Sequence, residues 1–270
     1  MSAFDRLHAA RIFAAALAAI AFGGLVWQPT ASAENPSVAS RQRAEKTTFT
    51  DTEITEGFLK TAFGAEYHLA GRVDRIRKYQ MPVRVFADGN RPERKAQLAK
   101  VVADIGKRVQ HLDIAMAETG EGANIIVKLV RDRDLYRTIS AFYGSERARE
   151  IKSSLDPQCL SAFRKNENYE IEHSDVILTV DNGDFTFLDC AYEELLQSLG
   201  PINDTSSVPW TMFNDNVSMG YFDIYDQYIL NILYDPRIKA GMTVAEVKAV
   251  LPDVLADVRA WVRKVNNLGE

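Results

Sequence analysis

The apolar positions of the chain follow two different periods. Leu98, Val101, Val102, Ile105, Val109 and Leu112 recur at i, i+3, i+4, i+7, i+11 and i+14. That is the stripe of a long helix with one buried face. Asn90-Arg91-Pro92-Glu93 stands ahead of it and reads as the helix start, with Asn90 as the cap and Glu93 three residues on. Residues 81–86 alternate Val83 and Val85 with Arg84, the period of a short strand. Residues 123–130 and 175–180 are β-branched, mostly apolar runs that predict two more strands.

Helical spacing returns at residues 53–67, through Ile54, Phe58, Leu59 and Phe63, and at 187–199. Asp223 caps a helix running to Tyr234, and Asp235-Pro236 stops it. Thr243 to Glu246 is a capping box that opens a last helix or helix pair over 243–265. Residues 132–166 read as short helices and loops. The order predicts an α+β fold: a single domain over 53–270, with a small mixed sheet, a long helix and C-terminal helices.

The first 33 residues have a different character. Arg6 and Arg11 precede an uncharged apolar stretch over 12–27, and Ala31-Ser32-Ala33 is a small-x-small cleavage pattern. This is a secretory signal (1–33), since an anchor usually needs ~20 apolar residues. No Cys follows the run, which argues against a lipoprotein anchor. Residues 34–52 are polar and expected to be a flexible lead-in. No later stretch approaches a membrane span, so the expected location is periplasmic or secreted.

Composition adds limits. Apolar residues are 46% and charged residues 26%, which supports a folded core. The net charge of −5 speaks against a general nucleic-acid binder. Cys159 and Cys190 are the two cysteines of the chain. Behind a signal peptide a disulfide is the default, closing a loop of about 30 residues. A nucleophilic or metal-binding Cys is the alternative, but none of His68, His111 and His173 lies beside either Cys.

On the helix at 187–199, Leu188, Tyr192, Leu195, Leu196 and Leu199 gather on one side, and Cys190, Glu193, Glu194 and Gln197 on the other. A solvated polar face is the ordinary reading of such a side. The residues beyond the helix change that weighing. Cys190-x-x-Glu193-Glu194-Leu195-x-Gln197-x-Leu199-Gly200-Pro201-x-Asn203-Asp204, then Phe213-Asn214-Asp215, then Leu233-Tyr234-x-Pro236 through Gly241-Met242-Thr243-x-x-Glu246 closely resembles the bacterial family called domain of unknown function 2927. Members often carry His where Tyr192 stands, and this chain departs there.

The same stretch is more distantly similar to the metzincin metalloproteases, whose zinc helix reads His-Glu-x-x-His-x-x-Gly-x-x-His. Aligned on Gly200, the resemblance puts Glu193, Gln197 and Asn203 at the three His positions and Glu194 at the general base, with Met212 near the Met-turn. It implies a metzincin-like scaffold without zinc ligands, because a catalytic zinc site takes three protein ligands, usually including His. Amide oxygens suit Ca²⁺ or Mg²⁺ better. No cofactor and no metal are therefore expected.

Other chemistries find no support. There is no Gly-x-Gly-x-x-Gly, P-loop or Gly-x-Ser-x-Gly. Glu193 and Glu194 diverge by ~100° on one helix, so they are poorly placed to flank a glycosidic bond. Two readings stand. The first is a non-enzymatic envelope protein binding a peptide or protein partner through Glu193, Gln197, Asn203, Asp204, Asn214 and Asp215. The second is a peptidase-like hydrolase using Glu194 at an unusual, non-zinc site.

Overall fold

A computed structural model describes residues 35–64, 74–155 and 158–269. The expected signal peptide and His68 lie outside the described residues. One sheet holds β1 (Val83–Asp88), β2 (Ile114–Met116), β3 (Ile125–Val130), β4 (Cys159–Lys165) and β5 (Ile171–Thr179), in the order β2-β1-β3-β5-β4. β2, β1, β3 and β5 are parallel, and β4 runs antiparallel to β5 at the edge.

Strand alternation sorts the side chains into two faces. Val83, Val85 and Ala87 are buried on one, with Ile125, Val127 and Leu129. Register places Val85 opposite Ile125 and Val127 opposite Val176, which makes that layer continuous. α3 (Pro92–Arg108) covers it with Leu98, Val101, Val102 and Ile105, and α6 (Asp184–Ser198) with Phe187, Ala191, Leu195 and Leu196. Each of these Val, Leu, Ile and Phe side chains contributes about 1.5–3 kcal/mol on leaving water. The other face carries Ile177 and Leu160, covered by Leu135 and Ile139 of α4 (Asp132–Tyr143) and Ala148 and Ile151 of α5 (Ser145–Leu155). α7 (Ile224–Tyr234) is buried at every position and packs against α2 (Asp51–Ala62) and α8 (Val244–Val265).

The α+β single domain with a mixed sheet is the observed fold, and Thr50, Asp223 and Thr243 cap helices as side-chain acceptors. Several details are corrected. Arg91, not Asn90, is the N-cap of α3 and makes no side-chain capping bond. Pro92 takes the first helical position instead, where its missing N–H costs nothing. Residues 159–165 are a strand rather than loop. β4 carries Arg164 and Lys165 at a register shift, and its half-exposed edge hides the apolar alternation. A tight hairpin connects it to β5, in which Asn166 Oδ1 accepts from the Asn168 and Glu170 N–H groups and Tyr169 takes φ 65°. Within the stretch expected as a lead-in, α1 (Pro36–Ala44) buries Val38, and Arg41 donates to Ser218 O at 2.6 Å.

Candidate functional site

α6 lies beneath β4 and β5, and a disulfide from Cys159 to Cys190 ties the start of β4 to the helix. Two carboxylates fix the loop after α6. Asp189 accepts from Met219 N at 2.6 Å and Gly220 N at 2.9 Å. Asp226, in the first turn of α7, accepts from Thr211 Oγ1 at 2.5 Å and Met212 N at 2.8 Å. Pinned at both helices, the loop returns alongside α6.

This return brings three carboxylates together. One oxygen each of Glu193, Asp204 and Asp215 lies within 4.8 Å of the others. Burial raises the Glu193 carboxyl well above its ordinary range, and the charges of Glu194, Asp204, Asp189 and Asp215 raise it further. Like charges at this spacing favour a bound proton or a cationic partner. An all-oxygen set of this kind matches hard cations rather than zinc.

The remaining sequence candidates divide. Gln197 is 3% exposed; it accepts from Ser161 Oγ at 3.2 Å and donates to Asp204 Oδ1 at 2.8 Å. Glu194 is 6% exposed, so the helix side expected as polar is largely buried rather than facing bulk water. Asn203 turns away: its Nδ2 donates to Lys60 O at 2.7 Å and its backbone N to Thr61 O at 3.2 Å. Asn214 shapes its own loop, donating to Val208 O at 3.0 Å and accepting from Asn216 N at 3.1 Å. Glu193, Gln197 and Asn203 therefore do not converge on one point. Tyr192, on the opposite side of α6, donates to Asp104 Oδ2 of α3 at 3.1 Å.

Sequence reasoning missed Ser161, Asp189 and Asp226. Asp189 stands four residues before Glu193, on the same helix face, and that spacing was a usable signal. Ser161 required knowing that β4 is a strand.

No curated protein matches this chain, and no solved structure matches it. A family model described as "Protein of unknown function (DUF2927)" matches residues 51–253, more than half of the sequence and the whole of the site. By that match, and with the segment from Cys190 to Glu246 inside it, the chain belongs to the DUF2927 family.

Proposed function

We propose that this chain is a non-catalytic binding protein of the cell envelope, in the periplasm or secreted, on a metzincin-like scaffold. An extended peptide or protein segment adds along the outer edge of β4 and presents a basic side chain to Glu193, Asp204 and Asp215. The observation that carries this reading is the meeting of those three carboxylates within 4.8 Å. A lysine or arginine side chain there relieves the mutual repulsion that raises the Glu193 carboxyl.

Two further features support it. β4 is an edge strand, paired with β5 on one side, and among the described residues no strand pairs with its outer edge. Such an edge recognises extended backbone by strand addition, while nearby side-chain sites select the sequence. The disulfide and the Ser161–Gln197 bond hold that edge against α6. Extracytoplasmic placement is supported by the disulfide and by the 1–33 sequence pattern. No described helix is long and apolar enough to cross a membrane. A hydrolytic role for Glu194 has less support, since its side chain is buried.

The test is calorimetric titration of the purified protein with short peptides that differ in one lysine or arginine. Basic peptides are expected to bind in a salt-dependent way, and Glu193→Gln with Asp204→Asn to weaken them at least tenfold. Equal binding of neutral peptides, or an unaffected double variant, would refute the reading. Turnover of the peptides would return the hydrolase.

A further inference from the structure

An open cavity of about 500 Å³ lies where the end of α7, the turn after α3 and the C-terminal half of α8 meet. That size is within the range of small-molecule sites, roughly 300–1,000 Å³. α8 lines it with Asp257, Ala260, Trp261 and Lys264, which recur at i, i+3, i+4 and i+7 and so share one helix face. Gln110 and His111 line it from the turn. Both are exposed, as are Asp257 and Lys264, so solvent reaches the cavity. Its walls are fixed by shared bonds. Arg108 O accepts from Trp261 Nε1 at 2.8 Å and from Asn231 Nδ2 at 3.0 Å, and Asn231 Oδ1 accepts from Gln110 N at 2.7 Å. One carbonyl therefore sets both the indole ring and the turn beside it. His111 holds φ 64°, a left-handed conformation that glycine adopts freely and most other residues avoid. Such strained positions gather at binding sites, and this one places an imidazole on the cavity wall.

The charged groups of the cavity divide into paired and unpaired. Arg237 Nε and Nη2 donate to the two Asp235 oxygens at 2.8 and 2.7 Å, and Nη2 also donates to Asp257 at 2.8 Å. Burial pushes the Asp235 carboxyl up, but the Arg237 bonds and the nearby His111 outweigh it and hold the group below its ordinary range. Both acids are thus matched to one guanidinium. Lys264 is different. Its Nζ stands 5.9 Å from the centre of the Trp261 ring, and among the described residues no carboxylate pairs with it. The carbonyls that end α8 do not claim it either, because Asn266 N donates to Val262 O, Leu268 N to Arg263 O and Asn267 N to Lys264 O. In a chain of net charge −5, the unpaired charge of this cavity is positive and stands beside an indole ring.

We infer that this cavity binds a small aromatic acid, with its ring against Trp261 and its acid group on Lys264. Aromatic rings pack offset or edge-on at centroid separations of about 4.5–7 Å, so a ring at Trp261 brings an attached acid group within reach of Lys264 Nζ. The Gln110 amide and the His111 ring supply further polar partners. A void of ~150 Å³ suffices for benzene, so the space admits a two-ring acid. A neutral ring would leave Lys264 without a partner, and a cationic one would meet it as a like charge. The site shares no residue with the acidic cluster at Glu193 and is independent of the reading proposed above.

Naphthoate titrated into the purified protein at fixed ionic strength, and followed by its own line broadening, is expected to bind saturably. Naphthamide, which keeps the rings and lacks the charge, is expected to bind about tenfold more weakly, the effect of one charge-assisted hydrogen bond. Tighter binding of naphthyl phosphate than of naphthoate assigns the site to aryl phosphates, and the reverse order assigns it to aromatic carboxylates. Both orders support the site. Lys264→Gln changes an exposed side chain and is expected to weaken naphthoate about tenfold while leaving naphthamide unchanged. A loss confined to the acid is a result that misfolding does not give. Absence of saturable naphthoate binding overturns the inference. So does equal binding of the acid and the amide, or native affinity for naphthoate in the Lys264→Gln protein.

Discussion

Gln197 donates to Asp204 across 2.8 Å, and with its other end accepts from Ser161 of β4. One carboxamide thus joins the edge strand, the helix beneath it and the loop that returns past both. Buried polar groups of this kind are tolerated when paired. Gln197→Leu leaves the Ser161 hydroxyl without its acceptor and removes the amide donor from Asp204, beside Glu193 and Asp215. The expected loss is ~1–3 kcal/mol, read as a lower urea midpoint. An exposed glutamine would cost almost nothing, so an unchanged midpoint contradicts this arrangement.

The disulfide restrains the same end of the edge strand, two residues before Ser161. Cys159 and Cys190 are 31 residues apart, and on the chain-entropy model closing that loop stabilises by about 3–4 kcal/mol. Replacing both cysteines with serine should lower stability by roughly that amount. Thiol titration of the denatured, unreduced protein should find no free thiol. Two free thiols per chain would show that the bridge does not form.

The sequence made the long elements legible and the short ones not. α3 was readable because six apolar residues from Leu98 to Leu112 keep one helical face. α7 and α8 were readable because their caps are side-chain acceptors, which leave a mark in the sequence. β2 is three residues long, too few for any period to register. β4 has one intermediate or exposed position after another beyond Ser161, so its alternation is weak and its pairing with β5 decides it. In the site, Asp204 and Asp215 were identifiable as polar loop residues. Their approach to Glu193 depends on Asp189 and Asp226 pinning the loop, a tertiary constraint with no local signature. Asn203 and Asn214 carry the same residue type in the same loop, yet they spend their amides on backbone carbonyls.

Zinc chemistry is expected to be absent for a reason of ligand type. Positions 193, 197 and 203 hold Glu, Gln and Asn, and the side chains of Gln197 and Asn203 are turned to different partners. Elemental analysis of the purified protein should find far less than one zinc per chain. A stoichiometric zinc lost on Glu193→Gln would overturn this.

Export should leave a chain that begins at Glu34, because Ala31-Ser32-Ala33 is the cleavage pattern. Intact-mass measurement of periplasmic protein checks this. A full-length mass in the membrane fraction would make residues 12–27 an anchor.

The pH dependence of stability should be dominated by a pair of carboxyls at the start of α7. Asp223 and Asp226 are buried at 1% and 0% exposure. Asp223 Oδ1 accepts from the Asp226 N–H at 3.1 Å, but its buried Oδ2 has no hydrogen-bond partner. The Asp226 charge acts on the Asp223 carboxyl, and two carboxyls buried together favour keeping one proton. Thr211 and Met212 already donate to Asp226, so the proton resides on Asp223. Burial is the chief cause that raises the Asp223 carboxyl well above its ordinary range, with Asp226 and Glu45 adding to it. In the unfolded chain an aspartate releases its proton near pH ~3.9. Above that pH the folded state holds a proton that the unfolded state has lost. Stability therefore falls as pH rises toward the raised folded value, by up to ~1.4 kcal/mol per pH unit for one proton. Asn caps a helix as well as Asp, and its amide can donate to Asp226 without titrating. Asp223→Asn should remove this fall and match or exceed the native protein at pH 8. Glu45 and Glu193 titrate in both proteins and largely cancel in the difference. Urea unfolding of the two proteins across pH 5–8 measures it, and a difference that stays constant over that window means no proton is kept.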